Sequence, residues 1–238
     1  KSTKENRLSF REILFSSDGM KDYIGGVILY DETINQTSSS GKKIPDLISS
    51  SGSIPGIKVD TGTKDLANSS EEKITEGLDG LRERLKEYYD LGARFTKWRG
   101  VYNISEKNPS MLAIHTNAQA LARYSALVQE NNMVPIVEPE LLMDGEHSAG
   151  VCLIKTSEVL KKCFEELILH KVDLSGIILL RVPAFTVPTE ITAGLLMILI
   201  LLLTTVLSAS ISCAVAIIGS ILNHGLEPCA CWPSIVMR

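Results

Sequence analysis

The first 180 residues alternate between apolar, β-prone segments and amphipathic helical segments, and this alternation constrains the fold more than any other feature of the sequence. Strictly alternating strands and helices imply parallel strands joined by right-handed crossovers. Five such units without a Gly-rich GxGxxG turn favour a (β/α) barrel over a doubly wound sheet. The predicted strands are GGVILY (25–30), PGIKVD (55–60), ARFTKWRGVY (93–102), VPIVEPELL (134–142) and SGIILL (175–180).

Helical segments lie before, between and after these strands. Several of them carry apolar residues at the i, i+3, i+4 spacing of an amphipathic helix. The predicted helices are KENRLSFREILFS (4–16), PDLISSS (45–51), EEKITEGLDGLRERLKEYYDLG (71–92), SMLAIHTNAQALARYSALVQENN (110–132) and TSEVLKKCFEELILHKV (156–172).

Charged residues occur in pairs near the carboxyl ends of three neighbouring predicted strands. Each pair has i, i+2 spacing, which places both side chains on one face of a strand. In a barrel these side chains point inward at the rim where active sites are built. An ion network that merely fills the barrel mouth is the alternative interpretation. A functional pocket is favoured, because burying many charges for stability rarely gains anything over apolar packing. The pairs are Lys58 with Asp60, Lys97 with Arg99, and Glu138 with Glu140.

The balance of these charges suggests a class of ligand. Glu138 and Glu140 balance Lys97 and Arg99, and surplus positive charge suits an anionic substrate such as a sugar phosphate.

Composition argues against several other classes. The net charge is −4 and no Lys/Arg run occurs, so a nucleic-acid surface is not indicated. The five cysteines lack the CxxC spacing of zinc sites and are predicted to be reduced cytosolic thiols. The four histidines are scattered and no HExxH occurs, which disfavours a metal-dependent hydrolase.

Several long motifs, in order and at matching spacing, closely resemble class I fructose-bisphosphate aldolase over about residues 4–180. The motifs are GGVILYDET, PGIKVDTG, ITEGLDGL, GARFTKWRGVY, NAQALARYSALVQENNMVPIVEPELLMDG and SEVLKKCFEELILHKVDLSG. The resemblance implies a TIM barrel that cleaves fructose 1,6-bisphosphate into dihydroxyacetone phosphate and glyceraldehyde 3-phosphate. The chemistry would proceed through a lysine Schiff base, with no metal or other cofactor, usually in a cytosolic homotetramer of glycolysis.

The resemblance also implies roles for individual residues. Glu138 corresponds to the carboxylate that moves protons during Schiff-base formation, and Glu140 to a second carboxylate that pairs with cations. Lys97 and Arg99 match residues that bind substrate, Lys97 beside the reacting carbon chain and Arg99 toward a phosphate. Lys58 corresponds to another cation of the pocket.

Arg7, in the motif ENR, resembles an arginine assigned to substrate binding. The motif is short, and a solvated helix residue is the alternative interpretation.

The sequence departs from the family at the imine-forming lysine. The family motif Leu-Leu-Lys-Pro-Asn is replaced by SGIILLRVPAF, which places Leu180 or, after a one-residue shift, Arg181 at the lysine position. Neither side chain can form a stable imine. Lys58 and Lys97 lie on other predicted strands and would approach a carbonyl differently.

The resemblance further implies that other parts of the barrel lie outside the matching residues. A first strand with a catalytic aspartate would precede residue 1, and two further strands would follow residue 180. We therefore expect a partial barrel of about five of the eight strands, within an aldolase-like domain at 1–182.

The remaining segment, 183–238, differs in kind. Residues 191–226 contain no Asp, Glu, Lys or Arg, and we predict a candidate transmembrane helix at about 193–222. A membrane anchor, an out-of-place translation such as a retained intron, and a buried globular helix all remain open.

Two functional classes follow from these observations. The first is an aldolase-like lyase, impaired or inactive because its imine lysine is absent. The second is a catalytically dead scaffold that binds sugar phosphates, associates with intact aldolase subunits or attaches to a membrane. We expect a cytoplasmic location by resemblance, with membrane anchoring through the apolar segment as the alternative.

Overall fold

The computed structural model describes residues 3–69, 71–180 and 235–237. The helices are α1 (Lys4–Phe15), α2 (Met20–Tyr23), α3 (Asp31–Ile34), α4 (Ile44–Ser50), α5 (Leu81–Asp90), α6 (Met111–Glu130) and α7 (Ala149–Leu169). The strands are β1 (Ile24–Leu29), β2 (Ile54–Lys58), β3 (Gly62–Asp65), β4 (Lys73–Glu76), β5 (Phe95–Tyr102), β6 (Val134–Leu141), β7 (Ile178–Leu179) and β8 (Ile235–Met237).

Five strands form a parallel sheet in which neighbours in space follow chain order. The order across the sheet is β7-β6-β5-β2-β1-β8, and every pair from β1 to β7 is parallel. The order never reverses, which is the arrangement of a (β/α) barrel and not of a doubly wound sheet. The prediction of a partial barrel with five strands is confirmed. The sequence analysis did not predict β8, which pairs antiparallel with β1.

The two faces of the sheet have different contents. One face packs against the helices, where Trp98 and Val137 join Leu121 and Tyr124 of α6 in the main apolar core. The opposite face carries a separate small cluster made by Ile28, Phe95 and Ile136. Because side chains alternate along a strand, the residues two and four positions after Phe95 and Ile136 share this second face. Those residues include the charged pairs of β5 and β6.

Glycines on the second face make room for an aromatic ring. A Cβ built on Gly26 would lie 2.8 Å from the Phe95 ring, and one built on Gly56 would overlap the same ring. Phe95 therefore lies across β1 and β2 because both strands lack a side chain where the ring packs.

The two long helices begin at serine caps. The Ser110 hydroxyl accepts a hydrogen bond from the N–H of Ala113, and the Ser148 hydroxyl accepts one from Val151. The predicted helix 110–132 is confirmed as α6. The predicted helix 156–172 is also confirmed, but α7 begins seven residues earlier, at Ala149.

The prediction of one helix over 71–92 is wrong in its first part. Residues Lys73–Glu76 form β4, which pairs antiparallel with β3 in a hairpin, and only Leu81–Asp90 is helical. Gly80, which precedes the helix, adopts a positive φ of 63° that favours glycine. The segment combines helix-forming residues with strand partners that lie 8 to 14 residues earlier in the chain, so local composition favoured the wrong element.

The segment 183–238 lies almost wholly outside the described residues, as do the candidate transmembrane helix at about 193–222 and Arg181. None of the described helices is long and apolar enough to cross a membrane.

Candidate functional site

The charged pairs lie on neighbouring strands, with Lys58 at the carboxyl end of β2, Lys97 and Arg99 in the middle of β5, and Glu138 and Glu140 in the carboxyl-terminal half of β6. Lys58 and Lys97 are direct partners in the parallel ladder between β2 and β5. Arg99 and Glu138 are direct partners between β5 and β6. The sheet therefore brings these charged residues together at one edge, as strand periodicity predicted.

Lys97 forms an ion pair with Glu138. Its Nζ lies 2.8 Å from Glu138 Oε2. The Glu138 side chain is only 4% exposed. Burial raises the pKa of the Glu138 carboxyl above its ordinary value, and the Lys97 ammonium opposes that shift.

Arg99 repeats this geometry one step further along the strand. Its ladder partner is Glu138, and its Nε donates a hydrogen bond to Glu140. Lys97 and Arg99 thus each reach a carboxylate two residues beyond their own partner on β6. The Arg99 side chain is 42% exposed, so part of the guanidinium is accessible to a solute.

Lys58 pairs within its own segment. Its Nζ donates to a side-chain oxygen of Asp60 and, at 3.1 Å, to the Asp60 carbonyl. The three cations of the site therefore each have a carboxylate of their own. This pairing corrects the expectation of surplus positive charge, because the six side chains together carry no net charge.

Arg7 lies apart from these pairs in the chain. It sits on α1 and makes two hydrogen bonds to Glu32, of 3.2 Å and 2.6 Å, just after the carboxyl end of β1. The hydrogen bond to Glu32 raises the pKa of Arg7. Arg7 is thus fixed near the edge at which β1 ends, as part of a salt bridge between two helices.

The hairpin of β3 and β4 supports the site, and the sequence analysis missed it. The Thr75 hydroxyl donates to the Arg99 carbonyl at 2.6 Å. Asn117 of α6 accepts from the Thr75 N–H at 3.3 Å and donates to the Lys73 carbonyl at 2.9 Å. The alternation of lysine, isoleucine, threonine and glutamate in Lys73–Glu76 is the sequence signal that could have indicated a strand.

Leu180 follows β7 on the site face. Ile178 is the ladder partner of Ile136, a member of the second-face cluster, and the Leu180 N–H donates to the Val137 carbonyl at 2.9 Å. Alternation therefore places Leu180 on the same face as Ile178, beside Glu138. Of the two positions weighed for the missing lysine, Leu180 is described and lies at the site, while Arg181 lies outside the described residues.

The arrangement can bind anions and move protons. Lysine and arginine at a partly buried edge suit phosphate oxygens, which can replace a carboxylate partner. A buried carboxyl with a raised pKa, beside an ammonium group, is suited to accept and return a proton. Leu180, which lies beside Glu138, has an aliphatic side chain and therefore no nucleophilic group.

Sequence comparisons give the family context of this geometry. A family model described as class I fructose-bisphosphate aldolase, within glycolysis, matches residues 1–213. This match extends beyond Leu180, where the motif resemblance ended.

Similar curated proteins carry the same name. Cytosolic fructose-bisphosphate aldolase 4 of Arabidopsis thaliana is 49% identical over 178 residues, which are 75% of this chain and 45% of the relative. A probable class 1 fructose-bisphosphate aldolase of Xanthomonas campestris is 51% identical over 178 residues, 75% of this chain and 53% of the relative. The chain spans about half the length of the curated relatives it matches.

A solved structure agrees with the sequence matches. Fructose-bisphosphate aldolase from Plasmodium falciparum, in complex with TRAP and a small-molecule inhibitor, aligns with a TM-score of 0.75 and 46% identity. The alignment covers 76% of this chain and 53% of that chain.

Proposed function

The chain belongs to the class I fructose-bisphosphate aldolase family, and from this premise we propose that it binds fructose 1,6-bisphosphate or a related sugar phosphate but is impaired as a lyase. The binding residues would be Lys58, Lys97 and Arg99, with Arg7 near the edge of the site. Glu138 and Glu140 would hold the cations and, in Glu138, supply the proton-transfer group.

One observation carries the binding proposal. Three cations from two neighbouring strands meet three carboxylates on one face of the sheet, as Lys58 with Asp60, Lys97 with Glu138, and Arg99 with Glu140. An ion network that served stability alone would gain little over apolar packing. Binding of a phosphorylated ligand would explain the arrangement, because each phosphate group can replace a carboxylate as the partner of a cation.

A second observation concerns the chemical step. Leu180 lies beside Glu138 and is, with Arg181, one of the two positions that align with the imine-forming lysine of the family motif; leucine carries no amine. Cleavage by a Schiff base needs a neutral amine that attacks the substrate carbonyl and leaves as the covalent intermediate hydrolyses. The two lysines of the site are held by Asp60 and Glu138 on other strands, so their approach to the carbonyl would differ.

The second candidate function differs from the first only in the purpose of sugar-phosphate binding. A catalytically inactive chain that still binds sugar phosphate would act as a scaffold, for example by joining intact aldolase subunits in the cytosol. The position of Leu180 favours this candidate over an active enzyme. We propose the cytosol as its location, since several similar relatives are named as cytosolic.

Borohydride trapping combined with a binding measurement tests the proposal. The full chain is treated with dihydroxyacetone phosphate and borohydride, and its intact mass is measured, with the Xanthomonas campestris relative as the positive control. We expect no added mass on this chain, and an upward shift of its thermal unfolding midpoint with fructose 1,6-bisphosphate. An adduct on Lys58 or Lys97 would identify an active lyase, and the lack of both adduct and shift would reject the proposal.

A further inference from the structure

Asp60 has a buried oxygen that the described residues leave without a hydrogen-bond donor. Its side chain is 3% exposed, and Oδ2 has no hydrogen-bond partner there. Oδ1 is fully engaged, because it accepts from the Lys58 ammonium and, at 3.1 Å, from the Gly62 N–H. Buried polar atoms without partners are uncommon in folded proteins, and each one needs a physical explanation.

The backbone on both sides of Asp60 is fixed. The Val59 N–H donates to the Lys97 carbonyl at 3.2 Å, and the Thr61 N–H donates to the Glu76 carbonyl at 2.9 Å. Arg84 donates to the Val59 carbonyl at 2.9 Å. The segment that carries the carboxylate is therefore held between the sheet and the β3–β4 hairpin.

The bond between Asp60 and Lys58 places this oxygen at the ligand-binding edge. Lys58 is the ladder partner of Lys97, which pairs with Glu138. An acceptor without a donor thus lies next to the cations proposed to bind phosphate. A phosphate oxygen cannot supply the missing donor, because it is itself an acceptor. The carboxylates of Asp60 and Glu138 are already paired with Lys58 and Lys97, so no excess negative charge is left to attract a cationic donor.

We propose that Asp60 Oδ2 accepts a hydrogen bond from a hydroxyl group of the bound sugar phosphate. This inference rests on the proposed function and deepens it, because it names the group that makes the site selective for a hydroxylated ligand. Lys58 attracts the phosphate, while Asp60 holds Lys58 in place and recognises the carbon chain beside it. A site built to bond a hydroxyl group discriminates against an analogue that lacks it, since the buried acceptor then stays unpaired.

Two bisphosphates that differ in their hydroxyl groups test this inference. Isothermal titration of the full chain compares fructose 1,6-bisphosphate with hexane-1,6-diol bisphosphate, which keeps two phosphates at the ends of six carbons. We expect the wild type to bind the sugar about tenfold more tightly, the size of one hydrogen bond to a charged group. In Asp60→Asn the remaining oxygen stays with Lys58 and the amide nitrogen replaces Oδ2, so the preference should largely disappear.

Asp65→Asn is the matched control. Asp65 also pairs with a lysine, Lys73, but its side chain is 84% exposed on the hairpin. The control should keep the wild-type preference, and thermal unfolding of both variants establishes that they are folded.

The outcomes separate this inference from the function on which it rests. If the wild type binds both bisphosphates equally, or if Asp60→Asn keeps the preference, the hydroxyl contact is wrong while sugar-phosphate binding stands. If neither bisphosphate binds the wild type, the proposed function itself is wrong.

Discussion

Lys58 and Lys97 are direct neighbours in the parallel ladder between β2 and β5, yet each ammonium reaches a different carboxylate. Two adjacent cations at a partly buried edge would repel one another without these partners. Asp60 and Glu138 lie beside them and neutralise them. Under the proposed function, a phosphate group would replace a carboxylate as the partner of a cation.

Arg99→Lys tests whether the guanidinium shape matters at the site. Lysine keeps the positive charge but lacks the planar guanidinium group, which can donate hydrogen bonds to a phosphate and to Glu140 at the same time. We expect about fivefold weaker binding of fructose 1,6-bisphosphate by calorimetry, within the range of one lost hydrogen bond. Arg82→Lys is the control, since Arg82 forms an exposed pair with Glu130. Equal effects of the two substitutions would argue against a phosphate contact at Arg99.

Leu180→Lys tests the position of the missing amine. The new lysine would lie on the site face beside Glu138, whose raised pKa suits proton exchange with the imine. We expect borohydride with dihydroxyacetone phosphate to add one ligand mass to this variant. Leu169→Lys, on an exposed position of α7, controls for labelling of any added lysine. Labelling of both variants, or of neither, would contradict the assignment of Leu180 to the imine position.

Glu72→Gln tests the connection between the hairpin and α6. Glu72 is buried and accepts from the Ser110 N–H at 2.7 Å, from the Ser110 hydroxyl at 2.6 Å, and from Ser69. Burial alone would raise the pKa of Glu72, but these hydrogen bonds lower it below the ordinary value. We expect the substitution to reduce the free energy of unfolding by about 1–2 kcal/mol at neutral pH, measured by urea denaturation.

The lowered pKa of Glu72 also predicts how the free energy of unfolding depends on pH. A carboxyl whose pKa is lower in the folded than in the unfolded state stabilises the fold above its unfolded pKa of about 4.3. That stabilisation disappears as pH falls through the folded pKa. The difference between wild type and Glu72→Gln should therefore shrink below about pH 4. Glu71→Gln, at the exposed neighbouring residue, should resemble the wild type at every pH.

Gly56→Ala tests the packing on the second face of the sheet. A methyl group at this position would overlap the Phe95 ring. We expect a loss of about 2 kcal/mol in the free energy of unfolding, which is typical of overpacking. Gly150→Ala is the control, because a Cβ there meets only the Ser148 hydroxyl, at 3.7 Å, in the first turn of α7. An unchanged stability of Gly56→Ala would mean that Phe95 does not pack across β2.

Much of the fold and of the site follows from local patterns in the sequence. Strand periodicity of two and strictly alternating elements were enough to predict the parallel order and the shared edge of Lys97, Arg99 and Glu138. These features repeat at short range, so a window of a few residues contains the signal. The barrel type of strand order followed from the alternation of strand and helix, whereas the expectation of only a partial barrel came from the resemblance to class I aldolases.

The features that the sequence did not predict depend on contacts between distant residues. The hairpin pairs Gly62 with Glu76, although the second strand lies in a segment rich in helix formers. The sequence also did not determine which carboxylate pairs with each cation, because several Asp and Glu residues lie near Lys58 and Arg99 in the sequence. That the described residues offer no donor to Asp60 Oδ2 is known only from the folded geometry, since hydrogen-bond satisfaction depends on how the surrounding backbone is placed.

Titration of fructose 1,6-bisphosphate into the wild type, Lys97→Met and Lys155→Met by calorimetry tests the central claim most directly. Lys155 forms a surface ion pair with Glu158 on α7, so its variant removes an equal charge far along the chain from the site. The account predicts saturable binding at one site for the wild type and Lys155→Met, and at least tenfold weaker binding for Lys97→Met, as expected for a lost charged contact. Absence of binding to the wild type, or equal affinity of all three proteins, would contradict it.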